Sequence, residues 1–338
     1  NSAKFSQGSP MQTLDFHVHL LSKEVRFDRP YDRLALRLFG RRFGIDVSRA
    51  IKEPYEAYVD ALLGELRASK YVKKAVLFGV DAKFSDAGEL IHRDKTVCAD
   101  NDSVLEIYQK NPGLIVPFFS INPKRADALD EIDRCFELGF KGAKFLQNYW
   151  DLDTRLPRYV PYFEKLAKLG LPLVIHVGNE SSVPSTRRCE ALEMIYAPLE
   201  LGVTTVCAHM AINYEYSHIF RALSRRPRNF GHDYFALLAL LRTHKNLYAD
   251  VSALMTPVRA KALPHLASQT DVHSRLLYAS DFPVPYSAIY NTYDLRLSQR
   301  IALHKEPNPF DRNARGLLAY FGEQSELWSN YKKILPFA

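Results

Sequence analysis

Short apolar runs alternate with amphipathic stretches along the whole chain. The runs lie at 13–18, 73–80, 114–120, 140–146, 172–178, 203–208, 246–252 and 275–280, nearly unbroken by polar residues. Strands buried on both faces read this way. Between them, 55–70, 98–110, 125–138, 158–169, 188–200, 213–225 and 258–268 show helical spacing of apolar residues. In 125–138, Ala128, Leu129, Ile132, Cys135 and Phe136 fall on one face. Gly139 and Gly170 follow helices, where a left-handed cap is wanted. Eight strands alternating with helices predict an α/β fold, a (β/α)8 TIM barrel. A doubly wound open sheet is the alternative, but the Gly-rich phosphate turn after its first strand is missing.

Two connections exceed the usual length: 20–54 after the first strand, with a helix expected at 31–40, and 282–308 after the eighth. Both leave C-terminal strand ends, the face on which a barrel carries its active site. No repeat or linker divides the chain. Residues 1–338 are read as one barrel domain, with 1–10 an N-terminal extension and 20–54 a loop insertion.

Composition narrows the class. Of 338 residues, 47% are hydrophobic and 25% charged, as in an ordinary globular enzyme. No apolar run approaches the roughly 20 residues that span a bilayer, and residues 1–10 show no signal-peptide core. No membrane partner is expected. Cys98, Cys135, Cys189 and Cys207 lack Cys-x-x-Cys spacing and read as reduced, buried thiols. That favours the cytoplasm, with the periplasm as alternative. The net charge of +7 raises nucleic acid as a partner, yet the basic clusters (Arg41-Arg42, Arg187-Arg188, Arg225 to Arg228) are short and match no nucleic-acid motif. No nucleic-acid partner is expected.

The candidate chemistry begins at Asp15-Phe16-His17-Val18-His19. On a strand, residues i and i+2 share a face, so His17 and His19 project two imidazoles together. Polar residues recur at other strand ends: Lys144 on the fourth, His176 on the fifth, His209 on the sixth and Asp281 on the eighth. In a barrel these ends converge. His17, His19, His176 and Asp281 then supply three imidazoles and a carboxylate, a set that suits Zn²⁺ and also Mn²⁺, Fe²⁺ or Co²⁺. From loop position, Arg42, Arg187, Arg188 and Lys144 are candidates to hold an anionic substrate, and Phe16, Tyr149 and Trp150 to line an aromatic or apolar pocket.

The motifs Asp-Phe-His-Val-His-Leu (15–20), Gly-Ala-Lys-Phe (142–145), Val-Ile-His-Val-Gly (174–178), Cys-Ala-His-Met (207–210) and Ala-Ser-Asp-Phe-Pro (279–283) occur in order over nearly the whole chain. The ordered set resembles the amidohydrolase superfamily, in its amidohydrolase-2 branch of metal-dependent barrel hydrolases and decarboxylases. The resemblance implies that His17, His19 and His176 bind one divalent metal, Zn²⁺ first. Asp281 would bind it too, or hold its water, and move the proton. His209 would polarise or act as acid/base. It also implies a small-molecule substrate and a homodimer. Lys144 would hold a substrate carboxylate or pair with a barrel carboxylate such as Asp250; the less favoured reading has it carboxylated and bridging a second metal. The implied activity is hydrolysis of an amide, lactone or ester. Non-oxidative decarboxylation is the second reading, and a basic, non-catalytic binding protein on a barrel scaffold the third. The other histidines (His92, His218, His232, His244, His265, His273, His304) are read as surface or structural.

Overall fold

The computed structural model describes residues 11–27, 30–180, 182–213, 230–256, 259–284, 286 and 294–337. Among them, eight strands build the barrel: β1 (Thr13–His19), β2 (Val72–Phe78), β3 (Ile115–Pro117), β4 (Ala143–Phe145), β5 (Leu173–Ile175), β6 (Thr205–Cys207), β7 (Leu247–Asp250) and β8 (Leu276–Leu277). They pair in parallel in two arcs, β1–β2–β3 and β4 through β8. Both seams are bridged: Phe119, just past β3, pairs with Ala143, and Val18 pairs with Phe282 beyond β8. Phe119 N donates to Gly142 O and Asp281 N to His17 O, each at 3.0 Å. The ring is that of a TIM barrel.

A helix follows each strand: α1 (Pro54–Ala68), α2 (Asn101–Lys110), α3 (Ala128–Glu137), α4 (Val160–Leu169), α5 (Tyr196–Glu200), α6 (His232–Thr243), α7 (Leu263–Ser268) and α8 (Pro309–Phe321). The insertion after β1 carries helices at Pro30–Phe39 and Val47–Lys52, and the one after β8 carries Leu297–Lys305. Each expected strand is present, most of them shorter than expected, while β1 runs one residue further, to His19, and β2 starts one residue earlier, at Val72. The expected 188–200 helix is two 3₁₀ turns leading into α5. The expected 213–225 helix, with His218 and the Arg225–Arg228 cluster, lies almost wholly outside the described residues, as do residues 1–10. The helix observed after β6 is α6, which, like α8, the apolar spacing did not single out. In α3 the apolar stripe is wider than the covered face: Ala128, Ile132 and Cys135 are buried, while Leu129 and Phe136 stay exposed. Gly139 and Gly170 take the left-handed conformation, at φ 94° and 66°.

The core is concentric. A large outer cluster fills the space between strands and helices. A smaller one fills the ring, with Phe16, Phe78 and Phe118 fully buried among Leu14, Val76, Val116, Val174 and Val206, and with Leu335 from the C-terminal segment. In β1, Asp15 pairs with Ala75 but Val18 with Leu77, so three steps on β1 match two on β2. This bulge shifts the strand's phase. Leu14 and Phe16 belong to the inner core and Val18 to the outer one, so adjacent Phe16 and His17 both serve the interior. All four cysteines are free and buried.

Candidate metal centre

Three donor atoms meet at the C-terminal end of the ring. His17 Nε2 and His19 Nε2 are 3.3 Å apart, and Asp281 Oδ1 lies 3.4 Å from the first and 3.3 Å from the second. Bonds of about 2.0–2.1 Å to a tetrahedral ion put neighbouring donors about 3.3 Å apart. Asp281 Oδ1 is buried and has no hydrogen-bond partner, an arrangement a cation would satisfy. His209 joins the group, with one ring nitrogen within 4.8 Å of a donor on each of His17 and Asp281. Asp281 and His209 hold left-handed φ values of 64° and 56°. Non-glycine residues hold that conformation at about 1–3 kcal/mol each, usually at functional sites.

Asp250, at the end of β7, orients two of the histidines. Its Oδ2 is 2.8 Å from His17 Nδ1. A carboxylate accepts only, so Nδ1 carries the proton and Nε2 presents a lone pair. Asp250 Oδ1 accepts from His209 N at 3.0 Å, from Ser252 N at 3.1 Å and from the Ser252 hydroxyl. That hydroxyl has one proton, already given to Asp250. Ser252 Oγ therefore accepts from His209 Nδ1 at 2.8 Å. One carboxylate thus sets two tautomers, one directly and one through a serine. Asp15 braces the same strands from below, its Oδ1 accepting from His17 N at 3.1 Å and Ser280 N at 2.9 Å; burial pushes its carboxyl up to about 7.

The electrostatics keep the imidazoles of His17, His176 and His209 neutral, the form that ligates. Burial, reinforced by the Lys144 ammonium, holds His17 well below its ordinary value. Burial and the Arg259 charge do the same for His209, and burial lowers His176 to about 4. Burial opposes ionisation of Asp281, but His17, His19 and Lys144 outweigh it and hold the carboxyl below its usual range. Lys144 is itself buried, its pKa pushed down to about 8 by burial. Its Nζ sits 3.1 Å from His17 Nε2 and 5.1 Å from the centre of the Phe78 ring. A cation already stands against the His17 lone pair, so the donor set fits a metal ion chemically.

A cavity of about 260 Å³ opens over these groups. His19, Lys144, His176, His209, Asp281, Glu180 and Arg259 line it, with Leu20, Leu21, Val97, Leu146 and Val284 as an apolar wall. A larger cavity of about 430 Å³ sits at the β2–α2 and β3–α3 connections. Among its ionic groups, Arg125 pairs with Asp81 at 3.3 Å and Arg134 with Glu131 at 2.7 Å.

The structure corrects several expectations from loop position. Trp150 does not line the cavity: it is fully buried, its Nε1 donates to Asp81 O at 2.9 Å, and its ring packs edge-on against Phe145. Arg42 lies elsewhere, its guanidinium 2.6 Å from His304 Nε2, tying the β1 insertion to the 297–305 helix. Arg188 is exposed and paired with Asp151 at 3.0 Å. Neither it nor Arg187 lines the cavity. Phe16 belongs to the barrel interior, and the Tyr149 hydroxyl bonds His92 and the Asp94 amide. Lys144 meets His17 rather than Asp250. His176 lines the cavity but stands outside the donor triangle, its Nε2 3.1 Å from Gly178 O and its Nδ1 3.7 Å from Glu180. Sequence reasoning missed the orienting role of Asp250, and Ser252, Glu180 and Arg259 altogether. The i, i+2 spacing of Asp250 and Ser252 at a strand end was a usable signal; Arg259 carried none.

A family model described as Amidohydrolase, of the amidohydrolase-2 family, matches residues 14–313. No curated relative matches by sequence. Among similar solved structures is a probable 2-pyrone-4,6-dicarboxylic acid hydrolase from Acinetobacter baumannii with citric acid bound (TM-score 0.58, 14% identity, covering 97% of this chain and 100% of that one). Another is an uncharacterised TIM-barrel protein from Bordetella bronchiseptica (0.54, 17%, 92% and 100%). A third is a mutant form of a 5-carboxyvanillate decarboxylase from Novosphingobium aromaticivorans, with manganese and 3-methoxy-4-hydroxy-5-nitrobenzoic acid bound (0.52, 15%, 99% and 99%). At these identities the likeness is one of fold.

Proposed function

The chain belongs to the amidohydrolase family, and on that premise we propose that it is a metal-dependent hydrolase of an amide, lactone or ester bond in a small, anionic or aromatic substrate. The observation that carries this reading is the triangle of His17 Nε2, His19 Nε2 and Asp281 Oδ1 at the floor of a cavity. Zn²⁺ is the proposed ion; Mn²⁺, Fe²⁺ and Co²⁺ accept the same donors. His176 becomes a further ligand if its ring turns from Gly178. One ion is proposed rather than two, with Lys144 as a free ammonium beside His17.

A divalent ion bound there supplies Lewis acidity, which acidifies water and polarises a carbonyl. The protein supplies proton handling. Asp281, ionised at neutral pH, accepts the proton of the attacking water and returns it to the leaving group. His209, whose Nδ1 is 3.9 Å from Asp281 Oδ2 and donates to Ser252 Oγ, is the neighbouring acid/base group through its Nε2. The apolar wall shields the reacting bond from bulk water.

Decarboxylation is the second reading. The buried Lys144 ammonium at the cavity floor favours it, because that charge suits a carboxylate on the reacting carbon; Asp281 or His209 would then protonate that carbon. The test is metal content beside turnover. Wild type should carry about one transition metal per chain, and His17→Ala and Asp281→Asn should remain folded while losing turnover by at least ~10³-fold. Full activity in either variant would refute the site, and CO₂ released stoichiometrically with product would assign the decarboxylase.

The free, buried cysteines support a reducing compartment, and the cytoplasm is proposed. Among the described residues, no helix is long and apolar enough to cross a membrane. A homodimer is proposed on the family resemblance.

A further inference from the structure

Two insertions leave the C-terminal end of the ring, and both supply wall to the cavity: Leu20 and Leu21 after β1, Pro283 and Val284 after β8. Their helices meet where Arg42, just past Pro30–Phe39, stands 2.6 Å from His304 near the end of Leu297–Lys305. Both helices turn apolar side chains outward. Leu34 and Leu38 are 54% and 59% exposed, and Leu297 and Ile301 are 63% and 39% exposed. Among the described side chains, Leu36 and Leu303 are the ones these helices bury. A lone exposed leucine is ordinary, but several on neighbouring helices mark an interaction surface.

Charge sets the kind of partner. Arg33 and Arg37 share the outward face with Leu34 and Leu38, the four covering about 140° of arc at 3.6 residues per turn. Residues 30–52 hold six arginines and lysines against two aspartates, and 297–305 adds Arg300 and Lys305 with no acid. Arg37 and Arg41 are exposed and form no ion pair among the described residues. Leucines rimmed by arginines suit the interface of an anionic bilayer, where apolar groups enter the acyl boundary and cations meet phosphates. A second copy of this surface would bring like charges face to face. An acidic protein would need a recess for the leucines, whereas a fluid interface takes an outward ridge without a matching shape. Adsorption of this kind needs no spanning segment, and the expectation of no membrane partner rested on the lack of one.

We propose that the helices Pro30–Phe39 and Leu297–Lys305 form a docking surface for an anionic phospholipid bilayer, on the insertions that wall the cavity. The surface binds lipid whether or not a metal occupies the site.

The test is co-sedimentation of the full chain with vesicles of phosphatidylcholine alone and of equimolar phosphatidylcholine and phosphatidylglycerol. At low salt, wild type should partition at least ~10-fold more strongly onto the anionic vesicles. That preference should shrink at about 1 M salt, where the screening length falls to about 3 Å. Leu34→Ser/Leu38→Ser should lose at least ~10-fold in partitioning, because two leucines no longer enter the interface. Arg37→Gln/Arg41→Gln should lose about fivefold per charge removed. All four side chains are exposed, so both variants should keep the wild-type circular dichroism spectrum. Equal partitioning onto the two vesicles, or partitioning undiminished in the leucine variant, overturns the proposal. Leucine-independent binding that polyglutamate competes away would assign the surface to an acidic protein instead. A wild-type dimer that sediments as a monomer in Leu34→Ser/Leu38→Ser, with no vesicle binding, would assign it to a second copy of the chain.

Discussion

Strands β2 and β3 line the barrel interior with Val76, Phe78, Val116 and Phe118, whereas β1 and β4 through β8 bring His17, Lys144, His176, His209, Asp250 and Asp281 to it, all of them buried. Strands β2 and β3 add only apolar groups to this interior, whereas the other strands add Leu14, Phe16, Val174 and Val206 together with polar groups whose burial costs stability. The two sides meet at Phe78. Its ring lies edge-on to His17 and His19 at 5.0 Å each and under the Lys144 ammonium. The apolar side provides the low dielectric that keeps the His17 imidazole neutral, and so prepares the site for a cation.

The comparison can be broken by variants whose effects should not cross over. Phe118→Ala removes a fully buried ring from the apolar side. It should lower unfolding free energy by about 3–5 kcal/mol in denaturant titration while metal stoichiometry is kept. Lost metal at retained stability would show that the two sides are not separable in this way. Asp250→Asn acts on the other side, disturbing the acceptor that holds His17 Nδ1. Zn²⁺ affinity, read by chelator competition, should fall about 10–100-fold with the circular dichroism spectrum retained. Unchanged affinity would remove Asp250 from its orienting role.

The smallest effect lies outside the ring. Glu106 on α2 is held down to about 2 by hydrogen bonds from Lys110 and Lys23, at 2.7 and 2.8 Å. A carboxyl depressed on folding stabilises above its unfolded value of about 4.5, and that stability is lost as pH falls towards 2. The pair is exposed, so screening limits it to under about 1 kcal/mol. Glu106→Gln should flatten the stability profile slightly between pH 4.5 and 2 and leave activity at pH 7 untouched. A larger loss at neutral pH would give Glu106 a structural role beyond this pair.

Local signals carried much of the picture. Short apolar runs made each barrel strand legible, and polar residues at their C-terminal ends gave His17, His19, Lys144, His209 and Asp281 before any geometry. At α6, which was missed, the hydrophobic pattern itself was weak: Leu237, Leu238 and Leu241 are buried, but Phe235 on the same helix is exposed. The β1 bulge left no local mark, because Phe16 and His17 read as opposite faces of one strand.

The alternation of strand and helix, and the residue types at strand ends, are properties of the sequence itself, since propensity and hydrophobic spacing act over a few neighbours. Which of those residues meet was decided by the tertiary structure alone. A strand buried on both faces has no polar side to mark the ring's interior. Loop side chains such as Trp150, Arg42 and Arg259 take partners from elements far away in the chain. Trp150 turned to Asp81, Arg42 to His304 and Arg259 to the cavity, because each contact depends on where another strand or insertion ends, which no local pattern encodes.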